Sequence, residues 1–389
     1  MANPFAPKVE EGNTILAGAG MIPREARAIG VISGTSMDAV DVALLVTDGE
    51  EMIKRGPNLL QPYTPAQRAT IRAAMADAMA APTGTHRTPA LLAAEAVVTE
   101  AHGDAIARFL DESGIEADVI GWHGQTVAHA PERRFTMQIG DAGALADRFG
   151  IPVVADFRSD DVARGGQGAP LVPVYHRALI RQAGLSEPAL VVNLGGVANV
   201  TYIDGDTLIA FDTGPASALI DDAMAETDAD YDAGGRVAAT GRVDADALAA
   251  LMDHPYFAAP APKSLDRDAF SAAPVAGLAF ADRIATLTRF TAESLAAGVR
   301  LLPKAPRAVI ASGGGTHNET MIRWIGEAIG AEVGNANDAG FSSDFMEAEA
   351  FAYLALRTLR GLPLTFPGTT GIASPLTGGR LWMPRAAAA

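Results

Sequence analysis

One pattern occurs twice in this chain, and it limits the possible folds more than any other feature. Ala28–Ser33 (AIGVIS) predicts a buried strand, a turn of glycine and hydroxyl residues follows, and Val40–Val46 predicts a second strand. Near residue 189 the pattern restarts: Ala189–Leu194 (ALVVNL), the pair Gly195–Gly196, then strands at Ala198–Ile203 and Thr207–Phe211. An isolated apolar hairpin is barely stable in water, so each copy must be completed by further strands and covered by helices. Both copies continue accordingly. After the first, Pro65–Ser113 predicts helix, with Ala94, Val98, Ala101, Ala105 and Phe109 on one face, and then strands at Ala117–Gly121 and Ile151–Ala155. After the second, Phe280, Ile284, Leu287, Thr291 and Leu295 form a helix face, Ala308–Ala311 a strand, and about His317–Ile329 a helix. The expectation is a duplicated mixed α/β protein.

A length of 389 residues leaves room for two such domains. The expected partition is an extension over 1–26, read as mobile, a first domain over 27–155 and a second over 156–361. The tail, 362–389, is rich in Gly, Pro and Thr and is expected to pack onto the body as ordered loop, completing the first domain. Asp344–Leu359 predicts a largely buried helix.

Composition removes several chemistries. Cysteine is absent, so disulfides, thiolate nucleophiles and Cys-ligated metals are excluded. A formal net charge of −16 argues against a nucleic-acid partner. No stretch approaches the ~20 apolar residues of a membrane span, and Glu10 and Glu11 stand where a signal peptide needs basic residues, so a cytoplasmic protein with no membrane partner is expected. Only Lys8, Lys54, Lys263 and Lys304 occur among 30 basic residues, and none follows a glycine, so no Walker-type phosphate loop is present. Nothing in this composition chooses between a monomer and a homodimer, and no residue set is assigned to a resident metal.

Four segments could carry chemistry. Ser33-Gly34-Thr35-Ser36-Met37-Asp38 can turn several N–H groups toward an anion, with Asp38 or Asp41 near a metal-bound water, although an ordinary hairpin turn has the same composition. Asp212, in Phe211-Asp212-Thr213-Gly214-Pro215, stands at a strand end where a helix cap is less natural. Gly313-Gly314-Gly315 would let a flat ligand approach the backbone; a tight turn explains it equally, and Asn318 occupies the third-glycine position of a dinucleotide fingerprint. Finally, GWHGQT and ADFRSDDVARGGQGAPLVP mix His123, Arg158 and Gln167 with glycines, a pattern suited to sugar hydroxyls and carboxylates.

Taken together, GVISGTSMDAVDVAL, GWHGQTVAH, FTMQIGD, VVADFRSDDVARGGQGAPLVP, VVNLGGVANVTYI, FDTGPAS, SGGGTHN and DFMEAEAFAYLA resemble the anhydro-N-acetylmuramic acid kinases of bacterial cell-wall recycling, over roughly residues 28–384. The resemblance implies the two-domain actin/Hsp70/hexokinase-like fold, a duplicated ribonuclease H-like α/β fold with an interdomain nucleotide cleft. It implies ATP with Mg²⁺ as cofactor and an amino sugar as substrate. Gly34, Thr35, Ser36, Met37, Asp38, Ala39, Val40 and Asp41 then correspond to the phosphate loop, Gly195 and Gly196 to its counterpart, and Gly313, Gly314 and Gly315 to the adenosine loop. Asp212 corresponds to the catalytic base that activates a water against C1 while O6 receives the γ-phosphoryl group. His123, Arg158, Gln167 and Glu347 fall on the sugar side.

Two segments depart from the family pattern. Ala39 stands where a glycine is usual, which implies ordinary backbone there, and Leu265-Asp266 replaces Thr-Gly in the segment Pro262–Arg267. A different kinase or phosphatase of this fold would not need the sugar-side segments. An ATP-switched polymer or peptide clamp would need more chain than is present.

Overall fold

A computed structural model describes residues 8–9, 22–23, 25–267 and 269–385. The chain divides into two compact units, Met1–Gln182 with Phe345–Ala389, and Ala183–Asp344. The strands in chain order are β1 (Lys8–Val9), β2 (Ala26–Ser33), β3 (Ala39–Thr47), β4 (Ile53–Pro62), β5 (Val119–Trp122), β6 (Gln125–Ala130), β7 (Phe135–Ile139) and β8 (Val153–Ala155). They continue as β9 (Ala189–Leu194), β10 (Val197–Asp204), β11 (Thr207–Pro215), β12 (Ala308–Ser312), β13 (Gly334–Asn335) and β14 (Arg380–Trp382).

The duplication is visible in the topology. In the first unit β4, β3, β2, β5 and β8 lie side by side, the first two junctions antiparallel and the next two parallel. In the second unit β11, β10, β9, β12 and β13 repeat that order and those directions. The first sheet extends further through β14 and β1, so part of the segment read as a mobile extension, Lys8–Val9, pairs in parallel with Arg380–Leu381. Most of that segment lies outside the described residues.

Each sheet has its own core. In the first unit the helices Pro65–Ala80 and Pro89–Ser113 bury Ile71, Leu91, Val98 and Phe109 against Ile29, Val31 and Val42. In the second, Phe280–Val299 buries Ile284, Leu287, Phe290 and Leu295 with Leu190, Val192 and Tyr202. The helical stretch expected over Pro65–Ser113 is two helices, because Pro82 and Gly84 interrupt it and Thr64 and Thr88 cap two separate N-termini. Strand β4 was not legible, since IKRGPNLLQP contains Gly-Pro and alternates poorly; at the edge of a sheet such a proline is tolerated. No helix among the described residues is long and apolar enough to cross a membrane.

The compact units divide at 182/183 and 344/345, where the sequence suggested domain boundaries at 155/156 and 361/362. Helix Met346–Leu359 packs on β2 and β5, where glycines permit backbone approach: a Cβ on Gly30 would lie 1.7 Å from the Ala348 carbonyl oxygen, and one on Gly121 2.1 Å from that of Phe351. Helix Pro173–Gln182 joins the same unit through Tyr175, whose hydroxyl donates to Glu349 Oε2 at 2.8 Å. Burial raises the Glu349 carboxyl to about 7 and the Tyr175 phenol well above its usual value.

Candidate active site

The turn joining β2 to β3 spans Gly34 to Asp38. The Met37 N–H donates to the Gly34 carbonyl at 3.1 Å, and Met37 takes a left-handed φ of 58°. A non-glycine residue pays strain there, offset because the Met37 side chain is buried in the core. Ala39 opens β3 opposite Pro62 in extended backbone, as its side chain implied. Thr35, Ser36 and Asp38 are exposed, with Asp38 in an ion pair to Arg68 at 3.4 Å.

Beneath this turn lies a buried polar network that the sequence did not reveal. Ser33 Oγ donates to Gln125 Oε1 at 2.5 Å and lies 3.1 Å from His102 Nε2; the Tyr63 hydroxyl reaches both Ser33 and His102. Trp122 Nε1–H donates to His102 Nδ1 at 2.7 Å, so the imidazole carries its proton on Nε2. Complete burial lowers His102 to about 3 and keeps it neutral. Gln125 Nε2 then donates to the Gly34 carbonyl at 3.2 Å, fixing the turn from below. The amide of GWHGQT is thus spent on the first turn and is not directed to a sugar.

His123 is buried as well. Its Nδ1 lies 3.0 Å from the Gly124 carbonyl, which can only accept, and its Nε2 receives Arg158 Nε–H at 2.9 Å, which assigns the tautomer. Burial and the adjacent guanidinium hold its pKa well below the usual value. His123 therefore orients Arg158, whose Nη1 donates to the Gly168 carbonyl at 2.7 Å. Burial brings Arg158 down to about 10, opposed by the carboxylates of Glu347 and Asp161.

Glu347 sits in the first helical turn of Met346–Leu359. Its side chain keeps contact with solvent although protein surrounds it at longer range, which raises its carboxyl while Arg158 lowers it. The Gln167 side chain is exposed, and its N–H donates to the Thr370 carbonyl at 2.7 Å. Asp161 organises this loop: its oxygens accept from the Gly168 N–H and the Thr370 hydroxyl, both at 2.7 Å, and a Cβ on Gly166 would lie 2.0 Å from Oδ1.

In the second unit the β9–β10 turn is only Gly195–Gly196. Its carbonyls accept from Ala216, Ser217 and Ala218 at 2.9, 3.0 and 3.2 Å, the residues that follow β11. Asp212, on β11, is thereby joined through four residues of chain to the turn. Its Oδ2 accepts the Leu265 N–H at 2.8 Å, its own N–H donates to the Lys263 carbonyl, and the Tyr256 hydroxyl donates to its carbonyl at 2.6 Å. Burial raises the carboxyl to about 6, moderated by the Leu265 N–H. A backbone donor explains why leucine is compatible with this position.

Lys263 donates to the Tyr256 carbonyl at 2.7 Å and lies 4.4 Å from that ring's centre. Tyr256 was not singled out from the sequence, and nothing local to it would have drawn attention.

The candidate glycines divide sharply. Gly313 has φ of 85° and its Cβ would lie 2.6 Å from Asn193 Oδ1, while a Cβ on Gly315 would lie 2.7 Å from that of Leu194. The protein's own packing accounts for these two. At Gly34, Gly195 and Gly196 a Cβ would meet no neighbour closer than 3.6 Å, at Gly314 nothing within 4 Å, and none of the four has a positive φ. Their missing side chains leave space that the protein itself does not fill.

The sequence model described as anhydro-N-acetylmuramic acid kinase matches residues 26–384. The chain belongs to that family. A protein of this name from Rhodopseudomonas palustris (strain BisB18) is 51% identical over 363 residues, covering 92% of this chain and 100% of the relative. One from Rhizorhabdus wittichii is 50% identical over 361 residues, covering 90% and 97%. Among solved structures, a ligand-bound xylulose kinase from Lactobacillus acidophilus aligns with 92% of this chain and 94% of its own, at 12% identity and a TM-score of 0.47.

Proposed function

We propose that this protein is an ATP-dependent kinase that hydrolytically opens the 1,6-anhydro ring of anhydro-N-acetylmuramic acid and phosphorylates O6, yielding N-acetylmuramic acid 6-phosphate and ADP in cell-wall recycling. Family membership over nearly the whole chain supports the substrate, and the setting of Asp212 supports the mechanism. Its carboxylate takes a proton from a water as that water's oxygen bonds to C1. The C1–O6 bond breaks, O6 bonds to the γ-phosphorus, and the β–γ bridging bond breaks to release ADP. A carboxyl near 6 is mostly ionised at neutral pH yet more basic than an exposed aspartate, as general-base work requires.

Gly34–Asp41 and Gly195–Gly196 would receive phosphates on backbone N–H groups, and Gly314 would face the nucleoside. Arg158, held by His123, together with Glu347 and Gln167, would bind the sugar. Among the described residues no cluster of three His, Asp or Glu is placed to hold a metal. Mg²⁺ would arrive with the nucleotide phosphates, with Asp38 or Asp41 holding its water; the ion would neutralise phosphoryl charge.

Incubation with MgATP and the anhydro sugar should give the 6-phosphate by mass. Asp212→Asn should lower turnover by about 10²–10⁴. Because the folded-state pKa is raised, the ionised carboxylate weakens the fold as pH rises through about 6, so the variant should be more stable at pH 8, on the order of 1–3 kcal/mol, with the gain gone below pH 4. A folded variant keeping more than a tenth of wild-type turnover would remove Asp212 from this role.

A further inference from the structure

A recess of 360 Å³ lies within the second unit, lined in part by Ser217, Asp221, Tyr231, Gly314 and Asn318. Its size suits a small organic ligand. Its charge is unsuited to phosphate: Asp221, Asp230 and Asp232 line it, against one histidine, His317, and no lysine or arginine. Whatever enters should be neutral and should carry hydrogen-bond donors.

Tyr231 is the unusual member. It is 62% exposed, a large ring standing in solvent at the recess with the bare backbone of Gly314 among the same lining residues. Its loop is nevertheless fixed. The neighbouring Asp232 is buried and accepts from the N–H groups of Val237 and Ala238 at 2.9 and 3.0 Å. Gly234 and Gly235 follow with φ of 69° and 68°, and the Gly235 carbonyl accepts the Thr320 hydroxyl at 2.8 Å. A Cβ on Gly235 would lie 2.1 Å from Asn318 Oδ1, so this loop is tied closely to the cap of helix Glu319–Ile329. The fold holds an aromatic ring at the recess without burying it.

We propose that Tyr231 is the stacking platform for the nucleobase, with the purine lying along the Gly314 backbone and its exocyclic amino group directed to the acidic rim. This rests on the reading that the protein binds ATP. Stacking on an aromatic side chain accepts any base by its π face. The carboxylates favour a base that presents an amino group there and disfavour a carbonyl oxygen.

Calorimetric titration of the full chain with ADP, and separately with inorganic tripolyphosphate, tests this in wild type, Tyr231→Ala and Tyr231→Phe. The alanine variant should bind ADP roughly ten-fold or more weakly while tripolyphosphate binding holds, and phenylalanine should stay within about two-fold of wild type. With sugar saturating, KM for ATP should rise in Tyr231→Ala and kcat should hold. Unchanged ADP affinity in a folded Tyr231→Ala, or equal loss of ADP and tripolyphosphate, overturns the proposal. Wild type that binds ADP but makes no sugar phosphate would overturn the proposed reaction and leave the Tyr231 comparison standing.

Discussion

The two hairpin turns occupy equivalent places in sheets of the same order and direction, yet they are held in different ways. The β2–β3 turn has five residues and is braced by buried side chains: Gln125 grips the Gly34 carbonyl and is itself fixed by Ser33, in contact with His102 and Tyr63. The β9–β10 turn has two residues and is held by backbone alone, through N–H groups of Ala216, Ser217 and Ala218. The first is therefore anchored to its unit's core through Gln125 and Met37, while Thr35, Ser36 and Asp38 stay exposed. The second is attached to the strand that carries Asp212, so a shift of one is transmitted to the other. Duplication preserved the hydrogen-bonding pattern of the sheets, which backbone geometry dictates, and left the tethers to diverge with the side chains.

Acid should break the first tether and spare the second. His102 is neutral in the fold at about 3 but would titrate near 6.5 when unfolded. Its depressed pKa means that stability present above pH 6.5 is lost as pH falls toward 3. Urea unfolding should show His102→Gln losing about 2–3 kcal/mol less than wild type between pH 7 and pH 4.5. Equal losses would mean that the imidazole does not govern the acid response of this network.

Side-chain truncation gives the next contrast. Gln125→Ala removes the acceptor of the Ser33 hydroxyl and one of two donors to the Gly34 carbonyl, and should cost about 1–3 kcal/mol in denaturant unfolding, with KM for ATP raised. Ser217→Ala keeps the N–H that holds the second turn and should cost about 0.5 kcal/mol. Similar costs at the two sites would erase the distinction between side-chain and backbone tethers.

Glycine substitutions sharpen it further. Gly34→Ala and Gly196→Ala meet no close protein atom, so thermal melting should place each within about 0.5 kcal/mol of wild type. If nucleotide fills the space beside these residues, KM for ATP should still rise several-fold in both. Stable variants with unchanged KM would take that turn out of the nucleotide site. The smallest effect on activity is expected at Ala39→Gly, which restores the family's residue. Ala39 is already in extended strand, so glycine should lower stability by about 0.5–1 kcal/mol through chain entropy, with turnover level or slightly higher. A large fall in turnover would show that the first turn depends on this side chain.

Periodicity by itself determined the repeated strand–turn–strand, the longest helices and the duplicated α/β class, because burial on one face imposes a spacing that survives in the sequence. The motif order singled out Asp212, the glycine turns and the Arg158 segment as candidates. Strand β4 and the pair β6–β7 were not legible, since an edge strand and a small two-stranded sheet need no continuous apolar pattern.

Tertiary structure alone decided the division of the chain, because helix Met346–Leu359 joins the first unit through contacts with residues far away in sequence, Gly30, Gly49 and Gly121 among them. It also decided which glycines serve packing and which leave open space, a difference made entirely by neighbours that the one-letter code does not record. The roles of His123 and Gln125 as supports for Arg158 and Gly34 have the same origin. Hydrogen-bond partners are chosen by distance in space, and desolvation, which sets the proton affinity of His102 and Asp212, exists only after the chain has closed around them.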